Sequence, residues 1–145
     1  KTHAKLMKHK DTNLWIIQIT TGFMLFFLGS IHLYKVLTEP QNIGPFASSD
    51  RIYSDTFYPL YFMLLISVVL HAGVGVYRLI MKWGWFDGKN PKENRVKTRK
   101  IVKAITIFYL VLGLFSLMAY IKIGYDHQKH YGERYTPNME IKNEN

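Results

Sequence analysis

Three stretches of the 145-residue chain are almost free of charge, and the charged residues collect between them. The first is Leu14 to Tyr34, LWIIQITTGFMLFFLGSIHLY, with no charged residue at all. The second is Phe57 to Met81, FYPLYFMLLISVVLHAGVGVYRLIM, where Arg78 near the end is the only charge. The third is Ile101 to Gly124, IVKAITIFYLVLGLFSLMAYIKIG, with Lys103 and Lys122 marking its ends. About 20 mostly apolar residues in a helix cross ~30 Å of hydrocarbon, so each stretch is long enough to span a bilayer. None alternates with period two, and open strands in lipid would leave backbone groups unpaired. The pattern predicts an all-α transmembrane helix bundle forming one membrane domain, with spans at about 14–37, 57–82 and 101–124 and an irregular tail over 125–145.

Local signals support these limits. Asp11, Thr12 and Asn13 precede the first block and are helix N-cap types. An acidic group there also suits the helix dipole. Asp55 or Thr56 is placed to cap the second helix, and Pro59 falls in its first turn, where a missing N–H costs little. Trp15, Tyr34, Tyr58, Trp83, Trp85 and Tyr125 sit at the block ends, as an interfacial aromatic belt would.

Charge then orients the bundle. Lys1, Lys5, Lys8 and Lys10 precede the first block, and Lys82, Lys89, Lys92, Arg95, Lys97, Arg99 and Lys100 lie between the second and third. The connection from Lys35 to Thr56 carries only Lys35 and Arg51. The positive-inside rule puts the N-terminal end and the Lys82–Lys100 linker in the cytoplasm, and the C-terminus outside. The net charge of +9 is thereby a matter of topology and not of nucleic-acid binding. The chain has no cysteine, which excludes disulfides, thiolate-held clusters and covalent haem attachment. It begins at Lys1, with no secretory signal pattern, and further sequence is expected before that residue.

Six histidines are present. His3, His9, His127 and His130 lie outside the apolar blocks and are read as solvated polar residues. His32 and His71 lie within them, where an ionisable group is a functional-site candidate by default. His71 comes 11 residues before Lys82 and His32 comes 18 after Leu14. At 1.5 Å per residue the two are ~16 Å and ~27 Å from the basic end, an offset of roughly 10 Å. They are expected to serve two separate sites. Neutral imidazole is a strong ligand for haem iron. Gly22, Gly29 and Ser30 on the first helix, and Ala72, Gly73 and Gly75 after His71, leave room for a porphyrin or, equally, for close helix packing. Trp15, Arg78 and Lys82 at the basic end are candidate partners for haem propionates, although Arg78 and Lys82 also suit plain interfacial anchoring. The third helix offers no histidine, so second axial ligands are expected from sequence before Lys1 or from another subunit.

The runs HxxLMKHKDTNLWIIQ from His3, TGFMLFFLGSIHLY, LTEPQNIGP, LHAGVGVYRLIMKWGWF and VLGLFSLMAYIKIG carry a resemblance over nearly the whole chain. Together they resemble the C-terminal part of the dihaem cytochrome b subunits of epsilonproteobacterial-type fumarate reductases, in the succinate:quinone oxidoreductase superfamily. That resemblance implies a five-span subunit of the bacterial inner membrane, of which three spans are present here. It implies two haem b groups held by four histidines, with His32 a ligand of the distal haem and His71 of the proximal haem. Trp15 and Lys82 match positions at the proximal propionates. It further implies menaquinol as substrate, and an iron–sulfur subunit and a flavoprotein subunit as partners. Members of the family carry a glutamate two residues before the second-helix haem histidine, where this chain has Val69, and glycine where it has Ala72. Val69 cannot carry a proton, which puts the family's proton route in doubt. The competing expectations are a succinate dehydrogenase anchor that reduces quinone, a haem-free anchor whose histidines only bond between helices, and a transporter. A transporter would need more ionisable groups along one path than these blocks contain.

Overall fold

The computed structural model describes residues 10–86 and 88–133. Among these residues it is entirely helical, with no strand. Helix α1 runs Lys10–Thr38, α2 Pro45–Tyr53, α3 Tyr58–Trp83 and α4 Pro91–Asp126, with short 3-10 turns at Pro40–Asn42 and Gln128–His130. Three of the described helices, α1, α3 and α4, are long and apolar enough to cross a membrane. α3 lies between α1 and α4 and packs against both. The chain therefore runs up α1, down α3 and up α4, leaving a basic end (Lys82, Pro91) and a loop end (Pro45–Tyr53, His127).

The contacts between spans are made by small and polar residues. Ser67 of α3 is fully buried, donates to the Met63 carbonyl at 2.7 Å and lies 3.6 Å from the Met24 sulfur of α1. A methyl on Gly73 would run into Thr106, and one on Gly113 into Leu65, so α3 and α4 touch nearly backbone to side chain. This is how spans associate when lipid tails are as apolar as leucine and burial of leucine drives nothing. The large apolar groups point outward: Phe23, Phe26, Phe27, Phe108 and Phe115 are all exposed to what would be hydrocarbon.

Several boundaries differ from the expectations. α1 already includes Asp11, Thr12 and Asn13, so these do not cap it. α3 is preceded by Phe57 with no side-chain cap, and the Thr56 hydroxyl donates instead to the Asp55 carbonyl. α4 starts at Pro91, not at Ile101, because Pro91 opens a helix that charged residues can continue in water. The expected linker Lys82–Lys100 thus shrinks to the seven residues between α3 and α4, which begin at Gly84 in the left-handed region at φ 63°. With 36 residues α4 is ~54 Å long, well beyond a hydrocarbon core of ~30 Å.

The loop end holds a folded element that the hydropathy pattern does not show. α2 is a polar helix whose Ser49, Asp50, Arg51 and Ile52 are buried against the end of α4. A Cβ on Gly124 would meet the Ser49 carbonyl oxygen at 2.5 Å and the Tyr53 Cβ at 2.6 Å. Both opponents are close to backbone and cannot swing aside. Gly124→Leu is therefore expected to lift α2 off α4, costing ~1–3 kcal/mol as overpacking does. The measurement is the melting temperature in detergent, with protease cleavage between α1 and α3 as a local probe. An unchanged melting curve and unchanged cleavage would show that α2 is not held there.

Candidate functional site

At the level of His71, α1 and α3 meet through a hydrogen-bonded chain. The Thr21 hydroxyl, itself buried, makes its shortest contact with the Ile17 carbonyl, 2.7 Å away, and donates its proton there. Its oxygen is then free to accept from His71 Nδ1–H at 3.1 Å. The opposite ring nitrogen, Nε2, is left as a lone pair that accepts from the Gln18 side-chain amide at 3.1 Å. This is an assignment of protons with the Gln18 amide as it stands; flipping that amide reverses both bonds. The assignment as it stands gives the tautomer in which Nε2 is free to bind a metal once Gln18 moves. Gly22 lets α1 come this close, because a Cβ there would lie 3.3 Å from His71 Cε1. Gln18 Oε1 is buried with no hydrogen-bond partner, so its amide is not in a settled polar site.

From Gln18 a cleft of about 800 Å³ runs past Gly75 to Arg78 and Lys82 at the basic end. The structure thus brings two of the three expected propionate partners to one opening that starts at the amide bonded to His71. Trp15 is not among the residues lining this cleft and is 50% exposed, one turn of α1 before Gln18.

His32 stands at the other end of the layer. Its Nδ1 is buried with no hydrogen-bond partner, and its ring meets Tyr61 edge-on at 5.5 Å. It lines a cavity of about 430 Å³ with Tyr61, Leu65, Gly113, Tyr120 and the buried Arg51. Gly29, one turn earlier on α1, faces open space with nothing within 4 Å of a Cβ. Leaving a buried imidazole nitrogen unbonded costs about 1–3 kcal/mol, so this ring calls for a ligand or a donor from elsewhere. His32 lines its own cavity, while His71 lies behind Gln18, the residue at which the other cleft begins. Among the described residues no three His, Cys, Asp or Glu side chains assemble into a metal cage, so each histidine offers a metal one ligand only. His32 fits a haem by its unsatisfied ring nitrogen beside a cavity, and His71 would do so once the Gln18 amide, at the head of the cleft, gives up Nε2.

The outer cluster was not foreseen. His127, read as solvated, is 8% exposed: its Nδ1 lies 2.9 Å from Asp50 Oδ1 and its ring stacks on Phe46 at 4.3 Å. Asp50 Oδ2 also accepts from the Gly132 backbone N–H, and the Tyr131 hydroxyl donates to Asp55 at 2.8 Å. That bond, with the Asp55 charge, holds the Tyr131 phenol above its ordinary pKa. The tail is therefore ordered against α2 as far as Glu133, where it was expected to be irregular from residue 125. His130 is exposed as expected, while His3 and His9 lie outside the described residues.

A layer of three long apolar helices defines a multi-pass membrane protein. The chain belongs to the succinate dehydrogenase/fumarate reductase transmembrane subunit family, whose model matches residues 1–113. It is similar to the fumarate reductase cytochrome b subunit of Wolinella succinogenes, 49% identical over 142 residues, which is 98% of this chain and 53% of that protein. It is also similar to the fumarate reductase cytochrome b subunits of Helicobacter pylori strains 26695 (50% over 130 residues) and J99 (52% over 128 residues), covering 90% and 88% of this chain and 49% of each relative. The chain spans about half the length of the curated relatives it matches.

Proposed function

We propose that this chain is the haem-carrying C-terminal half of the cytochrome b subunit of a quinol:fumarate reductase. The observation that carries the reading is the placing of His71: an imidazole within a span, bonded to Thr21 and to the Gln18 amide from which a cleft runs to Arg78 and Lys82. The printed name of the relatives, cytochrome b, points to the same cofactor. In this reading His71 holds the proximal haem and His32 the distal one, and each haem takes its second histidine from the subunit's N-terminal spans. When bound, the haems supply one-electron transfer from menaquinol to an iron–sulfur subunit and on to a flavoprotein that reduces fumarate. Arg78 and Lys82, and Trp15 if its ring turns inward, hold the proximal propionates at the basic end.

The basic end is cytoplasmic by its lysines and arginines, and the loop end, with the C-terminus, is outside the bacterial inner membrane. Val69 gives no ionisable group two residues before His71, so a proton route through that position is closed in this chain. The family description covers succinate dehydrogenases as well, and a succinate-oxidising complex that reduces quinone is the second reading.

The test is a reduced-minus-oxidised visible spectrum with a haem-to-protein ratio, taken on the full-length subunit in its complex. Two b-type haems per subunit are expected. A preparation without haem would overturn the reading and leave an anchor whose histidines only bond between helices.

A further inference from the structure

On the basic half of the layer, a second groove of about 690 Å³ lies over α3, walled by Leu14 and Ile17 of α1 and by α4. Its floor on α3 is Leu70, Gly73, Val74 and Tyr77. These positions lie nearer the basic end of α3 than Tyr61 and Leu65, which line the His32 cavity. The groove is therefore distinct from that cavity, and it shares only Leu14 and Tyr77 with the cleft that runs to Arg78 and Lys82. Its body is apolar, with Val102 and Ile107 completing the far wall, and its mouth is cationic, with Arg99, Lys100 and Lys103. The Arg99 guanidinium sits over the Tyr77 ring at 5.8 Å, which holds it at the mouth. Among the described residues none of these three cations pairs with a carboxylate. From Lys100 at the mouth to Ile107 the groove follows α4 for about 10 Å, within one leaflet of a ~30 Å hydrocarbon core.

We propose that this groove is a binding site for an anionic phospholipid, with the headgroup phosphate at Arg99, Lys100 and Lys103 and an acyl chain on Leu70, Val74 and Ile107. Charge selects the occupant. A neutral quinone has no use for three clustered cations, and a zwitterionic lipid gains less from them than a lipid of net negative charge. Depth agrees with charge, because the cations lie where the apolar block gives way to the solvated helix, at the level of a headgroup.

The experiment is native mass spectrometry of the complete complex, released from detergent with added phosphatidylglycerol or phosphatidylcholine. The wild type is expected to retain one phosphatidylglycerol per cytochrome b subunit and no phosphatidylcholine. The variant R99Q/K100Q/K103Q is expected to lose it by tenfold or more, while K89Q/K92Q/K97Q, which removes equal charge away from the groove, retains it. Val74→Trp keeps every cation but fills the floor and is expected to lose the lipid too. Both groove variants are checked for intact haem spectra, so that misfolding is seen separately. Retention by R99Q/K100Q/K103Q, or by Val74→Trp, overturns the proposal, the latter by reducing it to surface charge. So does full displacement of the lipid by millimolar inorganic phosphate, which would mark a phosphate site without an acyl groove.

Discussion

His71→Ala in the full-length subunit is expected to remove one of two haem b signals entirely and leave the other. Nothing else in α1, α3 or α4 offers an imidazole at that level, and Thr21 and Gln18 cannot replace a strong nitrogen ligand. Redox-titrated difference spectra with a haem count decide it, and two retained signals would cancel the assignment. Two companion changes separate ligation from ordinary interhelical bonding. Thr21→Val removes the acceptor that holds Nδ1–H, and partners of that kind typically contribute 10–100-fold in metal affinity. Gln18→Leu removes the group that occupies Nε2 and must move away when a metal binds, so it is expected to leave haem content unchanged. If the histidine only bridged helices, both substitutions would weaken the same contact, and they would resemble each other.

His32→Ala is expected to remove the other haem, again completely. The unsatisfied Nδ1 and the cavity shared with Tyr61 and Arg51 are the grounds for proposing it as the second ligand. The lost component is expected to differ in midpoint potential from the one lost with His71, since the two cavities differ in charge and exposure: Arg78 and Lys82 at the first, the buried Arg51 at the second. Loss of the same spectral component in both variants would mean that the two histidines share one site, and the two-site reading would fall.

Much of this was legible before any coordinates. The three spans follow from three uncharged blocks, because a bilayer demands length and apolarity and little else. His32 and His71 stand out because an ionisable group in lipid is costly unless it has work to do. Other signals were present but weak. Gln18 and Thr21 are polar residues three apart within an uncharged block, and that spacing faces one neighbour. Pro91 after Asn90 marks a helix start ten residues before the apolar block, where charges obscured it.

The sequence by itself determined the class: a multi-pass helical protein, its span order, its basic end and its two intramembrane histidines. These depend on transfer between water and hydrocarbon, which each residue undergoes largely on its own account. The tertiary structure alone decided which polar groups meet. The bonds of His71 to Thr21 and Gln18 need α1 and α3 at the distance Gly22 permits. The burial of His127 needs α2, a polar helix with no hydropathy signal, folded over Gly124 onto Asp50's partner. The cationic mouth at Arg99 needs Tyr77 from another helix beneath it. Such contacts pair residues far apart in the chain, and no local pattern of charge or apolarity encodes their geometry.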